Sequence, residues 1–424
     1  MRRVAVTGLG AICPLGSDAQ QAYDSAAAGR SGIHCLDEAL VSRLGSPIGG
    51  IATLFAADHF DPAKSRMLDR VSQFALVASR EAMSRAALEV TQIDHARTGV
   101  FIGTGMGGAH TMDEGYAALY GERSERVKPF TVLMGMYNAP AAWISLEYGL
   151  RGPSLTYSSA CSSSTVAVGE AWLRISRGDL DLALAGGSEA PLSYGSLKAW
   201  EALHTLAAVD KSDPSASCKP FSKDRSGMVL AEGAAILVLE EWEHAISRNA
   251  PIYGEVVGYG IATDIGHITR PSVEGQAAAM TAALAAAQLD PSEIDAINAH
   301  GTGTPANDVT ETAAVKTVFG ARAYDIAISS TKSVHGHLLG ASGALECLLC
   351  LMGMQNQTLL PTMHLSTPDP ACDLDYVPNA ARKSASLLTM LSNSFAFGGT
   401  NAVLVLRAAG SARILRRLKS PLCI

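Results

Sequence analysis

Residues 98–108 read TGVFIGTGMGG and residues 294–304 read IDAINAHGTGT. Each is a short apolar run ending in a glycine turn, and each follows a stretch with helical apolar spacing. Phe74, Val77, Ala78 and Ala82 precede the first; Met280, Ala283, Leu284 and Ala287 precede the second. Two segments that both read helix, strand, glycine turn predict two similar α/β halves meeting near residue 250. Elsewhere, apolar runs ending in glycine alternate with alanine-rich helical stretches, with further strands expected at Arg3 to Thr7, Leu182 to Ala185 and Asp295 to Asn298. This is the pattern of an α/β protein whose sheets are covered by helices. The expected units are an N-terminal half, 1–250, a C-terminal half, 251–410, and a basic tail, 411–424, carrying Arg413, Arg416, Arg417 and Lys419. Such tails are usually solvated.

A chain of 424 residues that is 48% hydrophobic can bury a large core, which excludes a disordered or fibrous protein. The formal charge of −7 provides no general basic field for nucleic acid. The start, MRRVAVTGLGAICPLG, is interrupted by Gly8, Gly10 and Pro14 and makes a poor signal peptide. No apolar run of about 18 residues predicts a membrane span. A soluble, cytoplasmic protein is expected. Eight cysteines spread along the chain read as reduced thiols. The one CxxC, Cys347 and Cys350, sits in the apolar helical run GALECLLCLMGM and is expected to pack in a core rather than bind metal.

Four segments carry chemistry. Residues 152–179, GPSLTYSSACSSSTVAVGEAWLRISRGD, read as strand, small-residue turn and helix, placing Cys161 at a helix N-terminus where partial positive charge favours the nucleophilic thiolate. The alternative is a buried, inert cysteine. Residues 298–311, NAHGTGTPANDVTE, put His300 at a strand end before a polar glycine turn, a placement typical of functional residues in α/β folds. Residues 329–346, SSTKSVHGHLLGASGALE, bring Lys332, His335 and His337 to another strand exit. The HxH spacing suggests metal, but no nearby carboxylate completes such a site, so no metal is expected. Residues 392–406, SNSFAFGGTNAVLVL, contain a Phe/Gly turn that could supply backbone donors.

Together with VAVTGLGAICPLG, YGLRGPS, AGGSEA and KPFSKDRSGMVLAEGAA, these segments make the chain resemble, over nearly its full length, the elongating β-ketoacyl-ACP synthases of the KAS I/KAS II group. The resemblance implies a thiolase-like fold, two related halves in five layers, α-β-α-β-α, and an obligate dimer. It makes Cys161 the nucleophile, and His300 and His337 the pair that stabilises the enolate formed when a malonyl thioester loses carbon dioxide. His337 closes the KSxxGH pattern, whereas His335 falls at a variable position. Lys332, Glu311 and Glu346 match a charged support set for the histidines, and the N–H groups of Cys161 and Phe397 match an oxyanion hole, with Phe397 as a gate. Thr302 and Thr304 match positions that hold the phosphopantetheine arm, and Met106 one that lines the acyl pocket near the dimer interface.

The implied partner is an acidic acyl carrier protein, for which Lys64, Arg66, Arg126 and Lys128 are candidate docking cations. The substrates would ride on the carrier's phosphopantetheine, with no cofactor bound permanently. Ser162, Ser163 and Ser164 follow the nucleophile as in many polyketide ketosynthases, and the stretch TVLMGMYNAPAAW departs from the housekeeping pattern. The alternative is therefore a ketosynthase subunit of a type II polyketide or aryl-polyene system, paired with a homologous chain-length factor rather than with itself. Retention of Cys161, His300 and His337 argues against the dead chain-length subunit. The C-terminal turn has no second cysteine, which argues against a thiolase.

Overall fold

The computed structural model describes residues 1–37, 42–121, 124–384 and 386–410. The basic tail expected at 411–424 lies outside the described residues. Ten strands form one hydrogen-bonded series among the described residues. They are β1 (Val4–Ile12), β2 (Thr98–Gly103), β3 (Ser154–Tyr157), β4 (Leu182–Glu189) and β5 (Gly233–Glu241), followed by β6 (Gly254–Thr263), β7 (Ala296–Asn298), β8 (Ala327–Ser329), β9 (Thr389–Phe395) and β10 (Thr400–Ala408). Their spatial order is β8-β7-β9-β10-β6-β1-β5-β4-β2-β3.

The order repeats. In the first five strands β2 runs parallel to β3 and β4, while β5 is antiparallel to β4 and β1. In the second five β7 runs parallel to β8 and β9, while β10 is antiparallel to β9 and β6. A three-residue antiparallel pairing, Val4 to Val256 through Val6 to Gly254, is the seam between the two sheets.

The inner strands β2, β4 and β5 are buried on both faces, so they read as continuous apolar runs rather than alternating ones, whereas the edge strand β3 is partly exposed. Outside the first sheet lie α1 (Arg70–Arg85), capped by the Asp69 carboxylate, and α2 (Ala139–Tyr148). The middle layer holds α3 (Ser163–Ser176); α4 (Val273–Ala287), capped by Ser272, and α5 (Pro305–Phe319) cover the second sheet, and α6 (Ser342–Gln355) joins α3 in the middle. This is the five-layer thiolase-like arrangement. Equivalent close contacts seat the outer helices: a Cβ on Gly10 would lie 2.0 Å from the Ala78 carbonyl oxygen, and one on Gly260 2.2 Å from that of Ala279. Glycine in the strand and alanine in the helix let helix and sheet approach this closely in both halves.

Cys347 and Cys350 lie buried in α6, as expected for core residues, and burial pushes the Cys347 thiol up to about 12.

Candidate active site

The thiol is presented by a tight, left-handed start to the middle layer. After β3 the chain reaches Ala160 at φ 49°, and Ala160–Ser162 form a 3-10 turn leading directly into α3. A non-glycine residue in this region costs on the order of 1 kcal/mol, and the serines that follow hold it there. Ser163 Oγ donates to the Ala160 carbonyl at 2.6 Å and accepts the Ser159 N–H at 2.9 Å; Ser162 Oγ donates to Ser159 O at 2.9 Å; Ser164 Oγ accepts the Ala344 N–H from α6 at 3.0 Å. All three serines are fully buried. In this chain the serine run is the scaffold of the turn.

Cys161 is buried, and desolvation pushes its thiol up to about 11, against the pull of the Lys332 charge and of the Phe397 and Cys161 backbone N–H groups. This corrects the expectation that the helix N-terminus yields a thiolate: burial outweighs the terminus, and the resting group is the thiol.

His300 follows β7 in a turn held by Glu311. That carboxylate accepts the backbone N–H of His300 and of Gly301, each at 2.8 Å, and the side-chain amide of Asn393 at 3.1 Å. Glu311 therefore orients the backbone beneath the imidazole rather than the ring. His337 is fixed by its own backbone, which bonds to Val229 and Ala231, and by its ring. The Leu339 N–H donates to His337 Nδ1 at 3.2 Å and Ser342 Oγ lies 2.8 Å from the same atom. With Nδ1 accepting, the ring proton sits on Nε2, which is buried and has no partner. The two rings meet edge to face, centroids 5.4 Å apart.

Lys332 is fully buried and pairs with Glu346, whose carboxyl burial raises to about 7. Burial first, then the Lys332 charge, holds His300 and His337 well below the ordinary imidazole range, so both are neutral donors. The Cys161 sulfur and one nitrogen of each imidazole all lie within 4.8 Å of one another. His335 is not in that cluster: its Nε2 meets Thr331 Oγ1 at 3.0 Å, so the HxH pair is split between two environments.

These groups form the floor of a cavity of about 320 Å³ whose wall includes Thr302, Thr304 and Phe397. The two threonine hydroxyls bond to each other at 2.9 Å, and Phe397 stacks on Trp200 with centroids 6.1 Å apart. Met106 does not line this cavity. It is half-buried in the apolar cluster behind Cys161, with Leu197, Met228, Leu230 and Leu339.

None of the four candidate docking cations is among the residues that line the cavity. Lys64 pairs with Glu147 beside Trp143, and Lys128 pairs with Glu114 at 2.8 Å, while Arg66 and Arg126 are exposed. The arginine that does line the cavity is Arg270, which sequence reasoning missed because a lone arginine in a polar loop carries no pattern. Also missed were Ser342, behind His337, and Glu189, a fully buried carboxylate at the end of β4.

Comparison with known proteins matches residues 1–245 to the model of the β-ketoacyl synthase N-terminal domain and residues 253–366 to that of its C-terminal domain. The chain is similar to Nodulation protein E of Rhizobium meliloti (strain 1021), 42% identical over 406 residues that cover 96% of this chain and 99% of that protein. It is similar also to 3-oxoacyl-[acyl-carrier-protein] synthase 2 of Staphylococcus aureus (strain COL), 39% identical over 409 residues, 96% of this chain and 98% of that one. Among solved structures, a type II PKS ketosynthase in complex with its acyl-carrier protein and bound to the hexaketide superposes with a TM-score of 0.90 at 34% identity, covering 96% of this chain and 100% of that chain.

Proposed function

This chain belongs to the β-ketoacyl synthase family, and from that premise we propose that it is a β-ketoacyl-[acyl-carrier-protein] synthase whose reaction runs on Cys161, His300 and His337. It lengthens an acyl chain by decarboxylative condensation with a malonyl thioester, in fatty-acid or fatty-acid-like synthesis. The observation that carries the residue roles is the convergence of one thiol and two neutral imidazoles within 4.8 Å on one cavity floor.

In the first stage the Cys161 sulfur attacks the carbonyl of an acyl thioester presented on phosphopantetheine, with Thr302 and Thr304 as partners for the arm. The N–H groups of Cys161 and Phe397, which already reach the sulfur, are placed to bind the oxyanion. The carrier thiol leaves with the proton that Cys161 gives up. In the second stage a malonyl thioester occupies the cavity. Its bond to the terminal carboxylate breaks, carbon dioxide departs, and the electron pair moves into an enolate whose oxygen accepts from His337 Nε2–H and from His300. The enolate carbon attacks the acyl carbonyl, the tetrahedral adduct expels the Cys161 sulfur, and one proton from solvent restores the thiol. Burial and, after it, the Lys332 charge keep both imidazoles neutral, so that they donate hydrogen bonds without surrendering a full charge.

The chemistry needs no resident cofactor; an acyl carrier protein delivers the substrates, and a second subunit completes the assembly. Leu146 on α2 and Leu155 in the edge strand β3, at 71% and 39% exposure, belong to the face such a subunit would cover. Among the described residues no helix is long and apolar enough to cross a membrane, and a cytoplasmic site of action fits the chemistry. The alternative, a type II polyketide or aryl-polyene ketosynthase working with a chain-length factor, is favoured by the similarity to a type II PKS ketosynthase. Co-purification separates the two: an active homodimer supports the first, and capture of a homologue lacking the cysteine supports the second.

The reaction itself is tested with Cys161→Gln. Acyl loading and extension should vanish while malonyl decarboxylation persists through the histidines. Extension by this variant would overturn the assignment of the nucleophile.

A further inference from the structure

Glu189 ends β4 with no exposed surface, and both of its carboxylate oxygens are fully used. Oε1 accepts Thr104 Oγ1–H at 3.1 Å and the Met106 N–H at 3.0 Å. Oε2 accepts the Gly105 N–H at 2.6 Å and the Gly340 N–H at 2.9 Å. The first three donors belong to the turn that carries Met106 into the apolar cluster behind Cys161. The fourth belongs to the 3-10 turn Leu339–Ala341, whose first residue donates to His337 Nδ1. One side chain therefore joins the wall behind the thiol to the turn that fixes the imidazole.

We propose that Glu189 is a positioning residue for the condensation, holding the Thr104–Met106 turn and the Leu339–Ala341 turn together so that the Leu339 N–H keeps His337 in its Nε2–H form and aimed at the substrate. The inference rests on the assignment of His337 as an enolate donor. The same carboxylate thereby joins Met106, in the apolar cluster that holds Cys161, to His337 through Glu189, Gly340 and Leu339. Burial raises the Glu189 carboxyl to about 7, yet four donors converge on it and only the ionised form accepts them all. A glutamine cannot replace it. Whichever way its amide faces, the NH₂ group meets the Met106 N–H or the paired N–H groups of Gly105 and Gly340.

The test compares malonyl-thioester decarboxylation in Cys161→Gln, alone and combined with Glu189→Gln, with alkylation of the free Cys161 thiol by iodoacetamide in the single variant Glu189→Gln. A positioning role predicts that decarboxylation falls by about tenfold or more while alkylation does not fall, because the Glu189 charge that helps to raise the Cys161 thiol is gone and the thiolate is favoured. It also predicts that a crystal structure of Glu189→Gln shows His337 Nδ1 parted from the Leu339 N–H. A merely structural role would lower both rates together, in step with the folded fraction, and would overturn the proposal. So would unchanged decarboxylation with His337 in place. Should Glu189→Gln fail to fold, Thr104→Val removes one donor and leaves the other three: a drop of about two- to fivefold in decarboxylation supports the link, and no change overturns it. If the parent Cys161→Gln releases no carbon dioxide, the fault lies with the reaction assignment, and the crystal structures of the Glu189 and Thr104 variants decide the positioning role.

Discussion

The turn before α3 and the turn before α6 are built alike and used differently. Each is a 3-10 turn, Ala160–Ser162 and Leu339–Ala341, and each begins on a non-glycine residue in the left-handed region, at φ 49° and 45°. Each feeds a middle-layer helix that starts on a serine, and the two turns touch. The middle residue is Cys161 in one and Gly340 in the other. Ser163 Oγ turns back onto its own turn, whereas Ser342 Oγ reaches His337 Nδ1. A Cβ on Gly340 would lie 2.5 Å from the Gly105 nitrogen, so the position that holds the thiol in one half is emptied for packing in the other. Pseudo-symmetry supplies two equivalent frames. One offers the thiol proposed as nucleophile, and the other aims the imidazole proposed as donor.

That contrast can be broken at four points of decreasing effect. His337→Ala removes the donor that the second turn aims, and malonyl decarboxylation in the Cys161→Gln background should fall by about 10²- to 10³-fold, with iodoacetamide alkylation of Cys161 in the single variant preserved. A smaller loss would shift the burden to His300. Next, pH should separate the turns. With the thiol raised to about 11, the thiolate fraction grows about tenfold per unit, so alkylation should rise about a hundredfold from pH 7 to pH 9. Decarboxylation should rise there by no more than about twofold, as Glu189 and Glu346, each raised by burial to about 7, finish ionising, because both imidazoles titrate well below 6.5. An alkylation plateau by pH 8 would mean that the terminus wins after all. Third, Gly340→Ala restores a side chain at the emptied position and should cost about 2–3 kcal/mol in denaturant unfolding, because the new carbon meets backbone that cannot rotate away. The mildest is Ser342→Ala. It leaves the Leu339 donor in place and should lower kcat about threefold at unchanged KM; a KM effect alone would place Ser342 on the binding side.

The helix-strand-glycine repeat was legible because it depends on local patterns, apolar spacing and glycine turns, that one residue at a time can show. The convergence of Cys161, His300 and His337 was legible through motif resemblance, since their separation in the chain gives no hint of proximity. What escaped the sequence is what depends on burial and on backbone donors. A helix start beside Cys161 can be read from small residues, but the desolvation that overrides it cannot, so the protonation state was expected the wrong way round. Glu189 stands within AGGSEA with no sign of its task, because three of its four partners are backbone N–H groups, which every residue except proline carries. The serine run after Cys161 was read as a mark of pathway, yet each hydroxyl has a local structural task in this fold.

Only three residue pairs stitch β1 to β6, whereas α3 and α6 lie against each other in the middle layer. The gap between the sulfur and the His337 imidazole is therefore gauged by a helix contact, while His300 is set by the end of β7 and by Glu311. Neither half owns a reaction centre, and small changes of volume along the α3–α6 contact would act as a tuning screw on the chemistry from well outside the cavity.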